Sequence, residues 1–255
     1  MVLTDTHTHQ YYERDDEKRA ALMQRCFDNK VNRLFLPNVD AGSMPLVFGL
    51  TDEYPDNCFP MLGLHPCDVK DDWQQQLAVI GDAVKRHKIY AIGEIGIDLY
   101  WDKTTLGKQF EAFKIQIDWA RQNNLPIVIH CRNAFDEVYS VLQQEYDDKL
   151  RGIFHCFTGT LEQAQKIIDL GFYLGIGGVV TYKNSGLDKV VEQIDLKHIV
   201  LETDSPYLTP VPYRGKPNES AYLVYVAQKI AELHHTDMAA IASITTANSK
   251  NIFGI

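Results

Sequence analysis

The sequence predicts a (β/α)8 TIM barrel in a single domain with extra C-terminal helices, and three observations predict it. Short apolar runs rich in Val, Ile and Phe alternate with longer stretches of helical periodicity, the pattern of βα units around a parallel sheet. Eight such runs can be counted. The chain has 255 residues and is 45% hydrophobic, which suits one barrel of about 250 residues.

In order, the strands are read in "MVLTDTHTH" (1–9), "VNRLFLPNV" (31–39), "FPMLGLH" (59–65), "IYAIGEIGI" (89–97), "PIVIHC" (126–131), "GIFHCF" (152–157), "FYLGIGG" (172–178) and "HIVLETD" (198–204). Between them, apolar residues recur at helical spacing in segments such as 72–87, 105–124, 134–146 and 160–171. After the eighth strand, "SAYLVYVAQKIAELHHT" adds a helix and "DMAAIASITTANSKNIFGI" another that closes the structure. Pro and Gly sit at element ends, and no repeat or low-complexity linker marks a boundary, so residues 1–255 are read as one domain.

Composition bounds the function. The start of the chain turns polar at once and lacks the apolar core of a signal peptide, and no run approaches the ~18 apolar residues of a membrane span. Five scattered cysteines without CxxC spacing predict free thiols and a cytoplasmic location. No membrane partner is expected, and the chain is read as a monomer or an oligomer of unspecified size. A net charge of −9 opposes a general nucleic-acid-coating role. It does not oppose a hydrolase that takes one or two phosphodiesters in a pocket, where bound metals and a few local cations supply positive potential.

Reactive residues of such a barrel collect at the C-terminal strand ends. His7 and His9 end the first run, Glu94 lies late in the fourth, His130 ends the fifth, His155 is late in the sixth and Asp204 ends the eighth. Strand alternation puts positions 7 and 9 on one face, whereas a helix would set them about 200° apart. Four imidazoles and two carboxylates form a ligand set for two divalent cations, with Glu94 as the bridge that screens their repulsion. Imidazole favours Zn or Mn, and carboxylates allow Mg. Cys131 and Cys156 follow ligands directly, so alternation turns them toward the surrounding helices as small core residues.

The Pro-rich loop after the eighth strand carries Arg214, Lys216 and Asn218. It reads either as a solvated basic turn or, beside a metal pair, as a clamp on phosphate oxygens. Arg132 is a third candidate cation, and His65 before Pro66 can reach the same mouth. Tyr100 and Trp101 read as a stacking shelf or as strand-end packing.

The pieces "DTHTH", "GLHP", "AIGEIGID", "IVIHCR", "FHCFTG" and "LETDSPYLTPVPYRGKPN" resemble, in order and spacing, the TatD family of metal-dependent deoxyribonucleases within the amidohydrolase superfamily. The resemblance covers essentially the whole chain. It implies a (β/α)8 fold, a two-metal centre on His7, His9, Glu94, His130, His155 and Asp204, and hydrolysis of DNA phosphodiesters, in some relatives from the 3′ end. The chain departs from the family pattern at Gln10 and Tyr11, where an apolar residue and an acid are usual, at Cys67 in place of a histidine, and at "NES" (218–220). These changes surround the ligands.

The expected mechanism is attack by a water activated between two metals, with Asp204 orienting it and accepting its proton, Glu94 at the centre, and the cations holding the phosphate. A pocket walled by strand-end loops favours single-stranded DNA or frayed ends. Two rivals exist. An amidohydrolase cleaving an amide, ester or lactone would use the same centre but have no use for the loop cations, and a scaffold on a degenerate barrel would have lost ligands.

Overall fold

Eight parallel strands surround a common interior in the computed structural model, which describes residues 1–255. They are β1 (Leu3–Asp5), β2 (Val31–Pro37), β3 (Cys58–Met61), β4 (Ile92–Asp98), β5 (Ile127–Arg132), β6 (Gly152–Phe154), β7 (Tyr173–Ile176) and β8 (Ile199–Leu201). Regular pairing joins β1-β2-β3 and, separately, β4 through β8. Two narrow seams close the ring. Leu62 bridges to Ile92 between β3 and β4, and the Thr6 N–H donates to the Leu201 carbonyl between β1 and β8.

Nine α-helices follow or cover the strands: α1 (Asp16–Asp28), α2 (Met44–Glu53), α3 (Trp73–Arg86), α4 (Leu106–Asn123), α5 (Phe135–Gln144), α6 (Leu161–Asp169), α7 (Leu187–Val191), α8 (Leu223–Leu233) and α9 (Met238–Phe253). Local chemistry marks several ends. Asp15 caps α1 with Asp16 and Glu17 in its first turn, Thr160 and Gln163 form a capping box on α6, and Gly254 ends α9 at a φ of 74°.

The barrel interior is apolar at one end and polar at the other. Phe35, Phe59, Met61, Val128, Ile153 and Val200 pack inside it with Ile252 and Phe253 of α9, and the Phe35 and Phe253 rings stack at 3.7 Å. The closing helix is therefore a plug. Alternation above this layer carries His130 two residues beyond Val128, and His155 and Glu202 two beyond Ile153 and Val200, toward the open mouth.

The strands are shorter than the apolar runs imply. β1 stops at Asp5 and β8 at Leu201, so His7, His9 and Asp204 lie beyond regular strand, and His155 lies just past β6. His130 sits inside β5, and Glu94 is the third residue of β4. β4 shifts register between Ile92 and Ile95, and it approaches β5 so closely at Gly96 (φ 141°) that a Cβ there would overlap the His130 carbonyl oxygen.

Candidate metal centre

The segment after β1 bends at Thr6 and His7 and is held by backbone bonds outside any ladder. Thr8 N–H donates to the Phe35 carbonyl, His9 N–H to that of Ser205, and the His7 carbonyl accepts from Asp204. Buried Asp5 adds a second tie: its carboxylate takes the N–H groups of His7 and Thr203 and the Thr203 hydroxyl, at 3.3, 3.0 and 2.6 Å. Burial outweighs these bonds and pushes its pKa up to about 7. Asp204 itself takes a left-handed φ of 54°, a turn that lets its carboxylate face the histidines.

Glu94 is the centre of the cluster, and its two oxygens face different partners. Oε2 lies 3.2 Å from His7 Nε2 and 3.8 Å from His9 Nε2. Oε1 lies 2.7 Å from His130 Nδ1, 3.3 Å from His65 Nε2 and 3.4 Å from His155 Nε2. Asp204 Oδ1 closes the first group at 3.9 Å from His7 and 3.6 Å from His9. Burial opposes the charge on Glu94, yet the surrounding imidazoles hold its carboxyl well below the usual range. Asp204 is lowered too, where His9 and His155 overcome desolvation.

The outer ring nitrogens reveal what the inner ones offer. Tyr11 donates its hydroxyl hydrogen to the Pro37 carbonyl at 2.6 Å, so at 2.8 Å from His9 Nδ1 it can only accept. His9 therefore carries its proton on Nδ1 and turns the Nε2 lone pair inward. Asp98 Oδ2 takes His130 Nε2 at 2.8 Å, leaving Nδ1 inward. Glu202 Oε1 stands 3.0 Å from His155 Nδ1, out of line for a good hydrogen bond. These three outer partners match the shell that orients metal-bound imidazoles.

Inward lone pairs so close to one another and to carboxylate oxygens repel unless a cation or proton lies between them. His7 Nε2 and His9 Nε2 are 3.3 Å apart, and the buried His7 Nδ1 has no partner. Burial opposes protonation of His155, but Glu202 and Glu94 raise its pKa to about 10. His7 shifts the other way, kept neutral by burial and by His155. The field that attracts a proton to His155 attracts a metal cation as well. Overlapping His, Glu and Asp groups here can bind metal ions, and the donor set fits divalent cations.

A cavity of about 810 Å³ opens above this floor, lined among others by His9, His65, Glu94, His130, His155 and Asp204. His65 joins the floor, but its Nδ1 accepts the Cys67 N–H at 3.1 Å, so its Nε2 is a hydrogen-bond donor. Arg132 is exposed and lines the cavity. The loop cations do not: Arg214 and Lys216 are exposed outside the lining, with the Arg214 guanidinium 3.7 Å over the Tyr182 ring and Lys216 Nζ 5.7 Å from that of Tyr213. Asn218 is buried and braces the loop, its amide donating to the Thr203 and Tyr207 carbonyls at 2.8 and 2.7 Å.

Cys156 corrects the alternation reading, since it lines the cavity, whereas Cys131 touches the cavity but packs against the main core as that reading expects. Cys156 lies past β6 with a φ of 49°, where the alternation no longer applies. Tyr100 and Trp101 are exposed and pack on each other edge to face, with Trp101 lining the cavity. Sequence reasoning missed Tyr11, Asp98 and Glu202. Parity could have found two of them: Asp98 falls four residues beyond Glu94, and Glu202 two beyond Val200.

A profile of the TatD related DNase family matches residues 4–254. The uncharacterized metal-dependent hydrolase YabD of Bacillus subtilis is 40% identical over the full length of both chains. The 3′-5′ ssDNA/RNA exonuclease TatD of Escherichia coli K12 is 33% identical, over 95% of this chain and 94% of that one. Among solved structures, the TatD homologue YJJV of Escherichia coli K12 superimposes with a TM-score of 0.93 at 27% identity, covering 99% and 98% of the two chains. The barrel, the clustered donors and these likenesses agree that the chain belongs to the TatD family of metal-dependent hydrolases.

Proposed function

We propose that this chain is a deoxyribonuclease that hydrolyses DNA phosphodiesters progressively from single-stranded or frayed ends, with two divalent cations (Mg, Mn or Zn) as its cofactor. The observation that carries the reading is Glu94, with one carboxylate oxygen toward His7 and His9 and the other toward His130 and His155. Such a placement suits a carboxylate shared by two cations. His7, His9, Glu94 and Asp204 would hold one ion, and Glu94, His130 and His155 the other. Bound there, the ions supply Lewis acidity and make water nucleophilic at neutral pH.

The side chains do the rest. Asp204 is ionised at neutral pH and accepts the proton of the water whose oxygen attacks phosphorus, while the P–O bond to the 3′ oxygen breaks and that oxygen leaves as a hydroxyl, taking its proton from solvent. Arg132 lines the cavity as a donor to phosphate oxygens, while His65 Nε2 lies 3.3 Å from Glu94 Oε1 and 3.2 Å from His130 Nδ1 and so braces the floor. A duplex cannot lower an internal phosphate to a barrel floor without melting, which favours strand ends. The relative named as a 3′-5′ ssDNA/RNA exonuclease supports attack from a 3′ end. Five free cysteines support a reducing, cytoplasmic setting, and no helix is long and apolar enough to cross a membrane.

The test combines elemental analysis with end-labelled single strands, duplexes, closed circular DNA, and neutral esters and lactones. Short products released from an end, abolished by chelation, are expected. Nicking of closed circles as the main activity, or neutral carbonyl substrates turned over orders of magnitude faster than DNA, would overturn the reading.

A further inference from the structure

Trp101 is the most exposed large apolar side chain in the structure, at 69%, and it stands on the rim of the cavity whose floor holds Glu94. Its neighbour Tyr100 is 52% exposed, and the two rings meet edge to face at 4.9 Å and 89°. Exposed aromatic surface of this size costs free energy in water unless something covers it.

The pair is not a loose loop tip. The Tyr100 and Trp101 N–H groups both donate to Asp98 Oδ1, at 2.9 and 3.0 Å, while Oδ2 of the same carboxylate takes His130 Nε2 at 2.8 Å. One side chain thus fixes the distance between the aromatic rim and the floor. Arg132 also lines the cavity, its guanidinium 3.9 Å over the Tyr100 ring and 5.5 Å from that of Trp101. Across the mouth, Tyr12 and Tyr207 also line the cavity and are exposed.

From this arrangement we infer that Trp101 is a stacking platform for an unpaired nucleobase of the substrate strand, with Arg132 on the adjoining phosphate. An aromatic face, a cation and a hydrolytic floor lining one cavity offer contacts to a base, its phosphate and the scissile phosphate of one strand. A base inside a duplex has both faces covered by its own stack and cannot use the platform, so Trp101 selects for single strands and frayed ends. Tyr100 supports the platform edge-on and keeps Arg132 in place. The inference rests on the nuclease reading above and adds to it the residue that reads unpaired bases.

The experiment is a cycle between protein and substrate. Wild type, Trp101→Ala and Trp101→Phe, each loaded with divalent metal, are assayed on an end-labelled oligonucleotide and on versions with an abasic residue at each of the last three positions in turn. Trp101→Ala is expected to raise KM for the intact strand about 5- to 100-fold, and Trp101→Phe to recover most of that loss. At one abasic position the losses from protein and substrate should be non-additive, together little larger than either alone. Additive losses at all three positions, with wild type still cleaving DNA, would remove the platform and leave the nuclease reading standing. Wild type cleaving no oligonucleotide while turning over a small ester would remove both.

Discussion

Glu202 approaches His155 Nδ1 to 3.0 Å from a position without exposed surface, and its Oε1 also accepts the Cys156 N–H at 2.6 Å. Gly175 packs against its other oxygen so tightly that a Cβ there would overlap it. A buried carboxylate confined in this way holds one imidazole in one orientation and raises its basicity. Glu202→Gln keeps the shape and removes the charge, so metal affinity should fall about 10- to 100-fold while the circular dichroism spectrum is unchanged. Competition with a fluorescent chelator measures this, and unaltered affinity would deny Glu202 the orienting role.

Tyr11 fixes the tautomer of His9 by accepting from Nδ1 and donating to the Pro37 carbonyl. Tyr11→Phe leaves both partners without hydrogen bonds in a buried place, which costs about 1 to 3 kcal/mol in stability. It also frees His9 to take the other tautomer, which points a proton inward. Urea unfolding should show the stability loss, and metal titration a weaker affinity. A variant as stable and as tight as wild type would mean that the tyrosine does neither.

Asp204→Asn removes a charge and a proton acceptor at nearly constant volume. Turnover should fall by about 10² to 10⁴ with the melting temperature of the metal-free protein preserved. Retention of more than about a third of wild-type kcat would exclude a proton-accepting role for Asp204.

Removal of metal relieves nothing in a site where lone pairs face carboxylates. Linkage to one ion held at about 100 times its Kd is worth ~2.7 kcal/mol, so chelation of both should lower Tm by roughly 10 to 20 °C and abolish hydrolysis. Adding back a divalent ion should restore both. Full activity in a preparation shown by elemental analysis to be metal-free would refute the metal centre.

The floor of the site was legible because strand ends in a barrel converge whatever the loops do. His7, His9, Glu94, His130, His155 and Asp204 needed only their positions in the order of runs to be brought together. What surrounds them was less legible, since it depends on where strands stop and loops turn. The left-handed residues at Cys156 and Asp204 break the alternation that a strand reading extends too far. The proline-rich loop gave its cations in sequence but not their direction. Asn218 ties it back to Thr203 and Tyr207, and Arg214 then finds the Tyr182 ring before it finds the mouth.

That redirection separates two candidate phosphate contacts. Arg132 lines the cavity, so Arg132→Ala should raise KM for a single-stranded oligonucleotide roughly 10- to 100-fold, the range for losing a charged hydrogen bond. Arg132→Lys should recover part of it, because charge survives without the planar fork. The Arg214→Ala/Lys216→Ala double variant should change KM by less than about 3-fold, since exposed charges outside the lining act only through a screened field. Salt gives an independent readout. With few phosphate contacts the log-log slope of binding should be about −2 or shallower, and loss of Arg132 should flatten it by about 0.7, the share of one phosphate on a single strand. A steeper wild-type slope that the loop variant flattens and Arg132→Ala does not would place the clamp on the loop after β8 instead.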